Sequence, residues 1–181
     1  MNFIRTGIDG VVIIEPRRYG DERGYFCETF KREEFEREIG KVDFIQDNES
    51  LSRRGVVRGL HFQRGASSQA KLVRVSQGEV VDVVVDLRGG SPTFGRHLAV
   101  TLSAVAGRQM FVPRGFAHGF AVISDVAQFQ YKVDNVYDPA SEVTLAFDDP
   151  ALGIKWPLNR DEMILSPKDL CGLSLAEIEP F

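Results

Sequence analysis

Lys71-Leu72-Val73-Arg74-Val75-Ser76-Gln77-Gly78-Glu79-Val80-Val81-Asp82-Val83-Val84-Val85-Asp86-Leu87 is the stretch that decides the fold. It holds two valine-rich runs, Lys71–Ser76 and Glu79–Leu87, parted by Gln77-Gly78. β-Branched runs of this length around a glycine turn read as strands. Similar runs precede it at Val11–Glu15, Gly24–Phe30, Phe44–Glu49 and Val56–Phe62. Others follow at Leu98–Leu102, Gln109–Val112, Gly119–Ile123, Gln128–Tyr137 and Thr144–Phe147. Gly89-Gly90-Ser91-Pro92, Pro113-Arg114-Gly115 and Asp138-Pro139 punctuate them. Only Lys31–Ile39 reads as a helix: Phe35 and Ile39 are four apart, the rest is charged, and Gly40 is placed to cap it. Many short strands with close turns predict an all-β sandwich or barrel. From Trp156-Pro157 onward periodicity fades, and this short tail is expected to wrap the barrel.

A chain of 181 residues suits one core, so residues 1–181 read as a single domain. Its 43% hydrophobic and 27% charged residues are ordinary for a soluble protein. No run is apolar enough for a membrane span, and the N-terminus lacks a signal-peptide pattern. Cys27 and Cys171 show neither metal spacing nor a disulfide framework, so a reduced, cytoplasmic setting is expected. A net charge of −4 argues against nucleic acid as a partner. Positive charge is nevertheless concentrated at Arg53, Arg54, Arg58, Arg64, Lys71 and Arg74. Arg53, Arg54 and Arg64 read as a solvated face, whereas Arg58 and Lys71 sit in or beside apolar strand segments and are expected to be aimed at something.

His61, in Arg58-Gly59-Leu60-His61-Phe62-Gln63, is the leading candidate for chemistry. Imidazole exchanges protons near neutral pH, and Arg58 nearby suggests an acidic substrate. His118, between Gly115-Phe116 and Gly119-Phe120, reads either as lining a site or as bonding its own turn. His97 reads as a solvent-facing strand start without a role. In Gln128–Tyr137, Phe129, Tyr131 and Val133 share one face. That phase points the Tyr131 hydroxyl into the barrel, where it needs a partner. Dinucleotide-binding, phosphate-loop and nucleophile-elbow motifs are absent, as are His-x-His and His-Glu-x-x-His. No metal and no cofactor are expected.

Several segments together resemble the dTDP-4-dehydrorhamnose 3,5-epimerase family. They are Asp21-Glu22-Arg23-Gly24-Tyr25-Phe26-Cys27-Glu28-Thr29-Phe30, Gln46-Asp47-Asn48, the Arg58–Gln63 segment and Gln69-Ala70-Lys71-Leu72-Val73. Val83–Arg88, Ser91-Pro92-Thr93-Phe94-Gly95, Gly115–Phe120, Tyr131-Lys132, Tyr137-Asp138-Pro139, Asp149-Pro150, Trp156-Pro157 and Leu165-Ser166-Pro167-Lys168-Asp169 extend the resemblance to about residue 170. It implies a cupin-type β jelly roll, a metal-independent homodimer and a dTDP-sugar substrate, dTDP-4-dehydro-6-deoxy-D-glucose, inverted at C3 and C5. By similarity His61 is the base, Asp169 orients it, Tyr131 is the acid on the opposite face, and Lys71 meets the ketone-derived oxygen. Arg23, Phe26, Glu28, Gln46, Asn48, Arg58 and His118 are implied to line the nucleotide and diphosphate site.

The chemistry needs residues of these types. Protons at C3 and C5 flank the C4 ketone, so their removal gives an enolate. A base must reach the C–H, a cation must meet the oxyanion, and inversion needs a donor on the other face. Phe26 and Glu28 share parity along Gly24–Phe30, which suits a ring on a pyrimidine and a carboxylate on the same ligand. Arg58 and His61 have opposite parity, which a bulge at Gly59 would reconcile. The rivals are an epimerase inverting one centre, a non-catalytic sugar-nucleotide-binding jelly roll and, more distantly, a metal-dependent cupin oxygenase.

Overall fold

The fold is that of a computed structural model describing residues 1–181. Its elements are β1 (Asn2–Arg5), β2 (Val12–Glu15), β3 (Arg18–Asp21), β4 (Gly24–Cys27), α1 (Arg32–Glu38), β5 (Gln46–Arg53) and β6 (Val57–Gln63). Then come β7 (Lys71–Gln77), β8 (Glu79–Asp86), β9 (His97–Ser103), β10 (Gln109–Val112), β11 (Phe116–Val122), β12 (Val126–Val133) and β13 (Glu142–Thr144). One sheet has the order β1-β2-β10-β7-β12-β5 and the other β13-β6-β11-β8-β9. Strands β3 and β4 form a separate hairpin. This is a jelly-roll sandwich, as the sequence predicts.

Strand alternation sorts side chains between cores. Val80 and Val84 of β8, Val73 and Val75 of β7, and Phe120 and Phe129 fill the space between the sheets. The opposite face of β8, with Val83 and Val85, is covered by the tail through Leu152 and Ile178. The outer face of the other sheet meets Phe35 of α1 through Val12, Ile14, Leu72 and Phe111. The tail wraps the barrel as expected, with short 3-10 turns at Arg160–Glu162, Asp169–Cys171 and Leu175–Glu177.

Several boundaries differ from the expectation. Strands β1 and β3 carry no strong pattern and were not foreseen. The Gly24–Phe30 run stops at Cys27: the Thr29 carbonyl accepts from Gln109 Nε2 at 2.7 Å, and Phe30 turns to pack on Phe35 and Phe44. Phe26, Glu28 and Phe30 therefore do not share one strand face. The Gln128–Tyr137 run ends at Val133, where the Asp134 carboxylate caps the Ala70 N–H at 2.7 Å and starts a turn. Strand β11 begins earlier than expected, so His118 lies within it rather than in the preceding turn.

The bulge at Gly59 is present. His61 pairs with His118 and Arg58 with Phe120, three steps on β6 against two on β11. Gly59 has φ +120°, a region that disfavours side chains. Its neighbour across the strands, Gly119, passes equally close: a Cβ there would lie 2.5 Å from the Arg58 carbonyl oxygen and 3.0 Å from Gly59 Cα. Neither contact is with a flexible side chain, so the backbone itself would have to move. Gly119→Ala should therefore cost about 1–3 kcal/mol. Urea denaturation checks this; an unchanged midpoint would show that the crossing tolerates a methyl group.

Candidate active site

Between the sheets lies a cavity of about 590 Å³, lined from both sides. The inner face of β5 supplies Gln46, Asn48 and Ser50; β6 supplies Arg58 and His61; β7 supplies Lys71. His118, Tyr131 and Glu142 come from β11, β12 and β13, and the tail adds Ser166, Lys168 and Asp169. Tyr131 follows Phe129 and precedes Val133 on the inward face; both flanking residues are buried, as their phase requires.

His61 Nε2 lies 2.8 Å from Asp169 Oδ1. The oxygen sits off the ring N–H direction, so Nε2 lacks a well-aligned hydrogen bond, and the contact works through charge and packing. Asp169 is 3% exposed. Burial alone would raise its pKa; contacts from His61, the Ser166 hydroxyl and the Gly59 N–H outweigh this and hold the carboxyl well below its usual range. Ser166 Oγ donates to Oδ2 at 2.6 Å, and the Gly59 N–H donates to Oδ1 at 3.1 Å.

Lys71 lines the cavity without an ion-pair or hydrogen-bond partner from the chain. Burial pushes its ammonium down to about 8, against the support of Asp82 and Glu142 and with the opposition of Lys168. Burial also raises the Tyr131 pKa, Arg58 opposing, so the phenol remains a proton donor at neutral pH. Arg58 Nε donates to Ser52 Oγ at 3.1 Å, leaving the rest of its guanidinium fork for an anion. Gln46 Nε2 donates to Asn48 Oδ1 at 2.7 Å.

Arg23, Phe26 and Glu28 are not brought to this cavity within one chain. They lie at the exposed β3–β4 hairpin or just beyond it: Phe26 is 65% exposed, and Arg23 is held by Asp21 at 2.5 Å. Four other residues enter the picture from the structure. Glu142 accepts from Tyr137 Oη at 2.8 Å and from Lys168 Nζ at 2.7 Å at the cavity wall. Asp82 lies behind His118, its carboxylate 2.9 Å from Nε2. A carboxylate amid valines at inward parity was the available sign for Asp82; Glu142 had none.

A model of the dTDP-4-dehydrorhamnose 3,5-epimerase family matches residues 5–177. The chain belongs to that family. A relative so named from Escherichia coli is 51% identical over 179 residues, covering 98% of this chain and 96% of its own. The solved dTDP-6-deoxy-D-glucose-3,5-epimerase of Legionella pneumophila, in complex with dTDP-4-keto-L-rhamnose, superposes with a TM-score of 0.94 at 49% identity, covering 98% of this chain and 94% of that one. A 3'-monoepimerase from Streptomyces bikiniensis in complex with dTDP-quinovose is 35% identical with a TM-score of 0.89, covering 96% of this chain and 87% of that one. The family's fold thus recurs in structures named as a 3,5-epimerase and as a 3'-monoepimerase.

The depressed Asp169 pKa has a consequence for stability. An unfolded aspartate titrates near 3.9; the folded one titrates lower, so the native state gains stability that is complete above about pH 5 and lost as pH falls through the folded value. Asp169→Asn should remove that dependence. Urea midpoints for both proteins should differ most near neutrality and converge on acidification; a constant difference would show that the carboxylate's charge is not what the fold uses.

Proposed function

We propose that this chain inverts C3 and C5 of dTDP-4-dehydro-6-deoxy-D-glucose by enolate chemistry, giving dTDP-4-dehydro-L-rhamnose for dTDP-L-rhamnose biosynthesis, with residues 1–181 acting as one catalytic domain. It is an isomerase acting on a nucleotide-linked keto sugar. The observation that carries the reading is the convergence of His61 with Asp169, Tyr131 and Lys71 on one cavity of a family member.

His61 takes the proton next to the ketone. Asp169, 2.8 Å from Nε2, stabilises the imidazolium that forms, and Nδ1 is left for the substrate. The enolate charge develops on the C4 oxygen, where the unpaired Lys71 ammonium receives it. Tyr131, from the facing sheet, returns a proton to the other side and so inverts the centre. Arg58 takes the diphosphate, and Gln46, Asn48 and His118 hold the ligand alongside it. Two unpaired cysteines suit a reducing cytoplasm, and no helix is long and apolar enough to cross a membrane.

The nucleotide end is completed by a second copy. Strand β5 is one edge of its sheet and carries Gln46 and Asn48. A partner's β3–β4 hairpin added at that edge would bring its exposed Arg23, Phe26 and Glu28 alongside them, by strand addition. The exposed Ile45 and Leu51 at that edge favour such cover. A single-centre epimerase shares the scaffold, and product NMR distinguishes the two outcomes.

Base and acid separate by exchange in deuterated water. His61→Ala should abolish both deuterium wash-in at C3 and C5 and inversion. Tyr131→Phe should still exchange, because base and cation remain, yet yield far less inverted product. NMR reads both on one sample; equal loss of both in Tyr131→Phe would remove the acid role.

Lys71 sets an alkaline limit. The cation is needed protonated, so turnover should fall as pH rises through about 8. Lys71→Ala should lose on the order of 100-fold in turnover. Lys71→Arg keeps the charge, and whatever activity it retains should lack that limb. An alkaline limb unchanged in Lys71→Arg would assign it to another group.

Assembly is tested by light scattering at assay concentration. A homodimer is expected, and Phe26→Ala should weaken dTDP binding although Phe26 lies outside the chain's own cavity. A fully active monomer would rule the arrangement out.

A further inference from the structure

Asp82 stands in the middle of the valine-rich β8, facing the space between the sheets, and is 0% exposed. A carboxylate so placed costs several kcal/mol to desolvate unless it is well partnered. Its only hydrogen-bond partner is His118, whose Nε2 lies 2.9 and 3.0 Å from its two oxygens. Phe120, the next inward residue on β11, is apolar, as are Val80 and Val84 on either side of Asp82. Nothing in the packing asks for a charge here.

The carboxylate lies behind His118, which itself lines the active-site cavity. His118 and His61 are directly opposed across β11 and β6, so their side chains project from the same face of the sheet. Each turns Nε2 to a buried carboxylate, Asp169 for one and Asp82 for the other. Neither Nδ1 has a partner in the chain. The cavity wall therefore carries two histidine–carboxylate pairs side by side, with the unpaired ammonium of Lys71 in the field of Asp82.

We propose that Asp82 is a positioning residue for epimerisation: it commits His118 Nε2–H to its carboxylate, presents Nδ1 to the ligand, and serves as the counter-charge that keeps Lys71 cationic. This rests on the assignment of Lys71 to the enolate oxygen. The carboxylate makes no contact with substrate; it acts through His118 and Lys71.

Asp82→Asn keeps the shape and removes the charge. It should lower kcat by about 10- to 100-fold, short of the roughly 10⁴-fold loss seen when the partner of a catalytic base is neutralised, and raise KM through the loosened His118 contact with the ligand. The alkaline limb of turnover should also move to lower pH. The charged groups acting on Lys71 are Asp82 from β8, Glu142 from β13 and Lys168 from the tail, and this variant changes only the first. In a His118→Asn background the further drop in kcat should shrink, while the shift of the limb persists. A folded Asp82→Asn protein with wild-type kcat and an unmoved limb overturns the proposal. Should that variant not fold, nitrogen-15 NMR of the wild-type histidines decides: a proton on His118 Nε2 supports the proposal, and a neutral ring protonated at Nδ1 overturns it. Wild-type protein that fails to exchange or invert the keto sugar would instead refute the functional reading, whatever the tautomer.

Discussion

One oxygen, Asp169 Oδ1, ties the C-terminal tail to strand β6 at two points. It accepts from the Gly59 N–H at 3.1 Å and lies 2.8 Å from His61 Nε2, while the other oxygen is held by Ser166 of the same tail. The tail is thus tied to strand β6 at its irregularity. A buried carboxylate is tolerated when donors surround it, and the bulge provides one by freeing the Gly59 N–H from the sheet ladder. The bulge in turn depends on the absence of side chains at Gly59 and Gly119. Without it Arg58 and His61 would point to opposite faces and could not line one cavity.

The cavity is organised by unequal pairing of charge. Two of its carboxylates are well supplied: Asp169 by the Gly59 N–H, the Ser166 N–H and the Ser166 hydroxyl, and Glu142 by Tyr137 and Lys168. Cations are left short. Lys71 has no partner, and Arg58 is bonded within the chain only through Nε. Buried positive charge without local relief favours an anionic ligand, and the ammonium's depressed pKa reflects that same deficit. The phenol of Tyr131 is shifted the other way by the same burial. Low polarity therefore moves the cation and the acid in opposite directions, each towards neutrality.

Much of this was legible in the sequence because strand parity is a two-state code. The valine-rich runs of Lys71–Leu87 mark one strand of each sheet, and the phase of Phe129, Tyr131 and Val133 places the hydroxyl on the inward face. The parity conflict between Arg58 and His61 even locates the bulge. Legibility failed where side-chain hydrogen bonds override periodicity. Asp134 ends β12 early, and the contact of Gln109 with Thr29 draws the chain away after Cys27. The role expected of Asp169 rests only on the resemblance, since an aspartate in an aperiodic tail has no pattern of its own. Glu142 lay equally hidden, because its partners approach from a loop and from the tail.

The residues that one chain leaves outside its cavity obey the same physics. Tyr19, Tyr25 and Phe26 put three aromatic rings on an isolated two-stranded hairpin, each half or more exposed. Such a hairpin is marginal alone, and here Arg18 anchors it by donating to the Val105 and Ala104 carbonyls at 2.6 and 2.5 Å. Its backbone is fixed at the base while its rings remain uncovered. That combination fits a preformed strand better than a flexible arm, because ordering is complete before any contact is made. His61 is held against a buried carboxylate of its own chain, whereas the rings of the hairpin have no such cover from the chain that carries them.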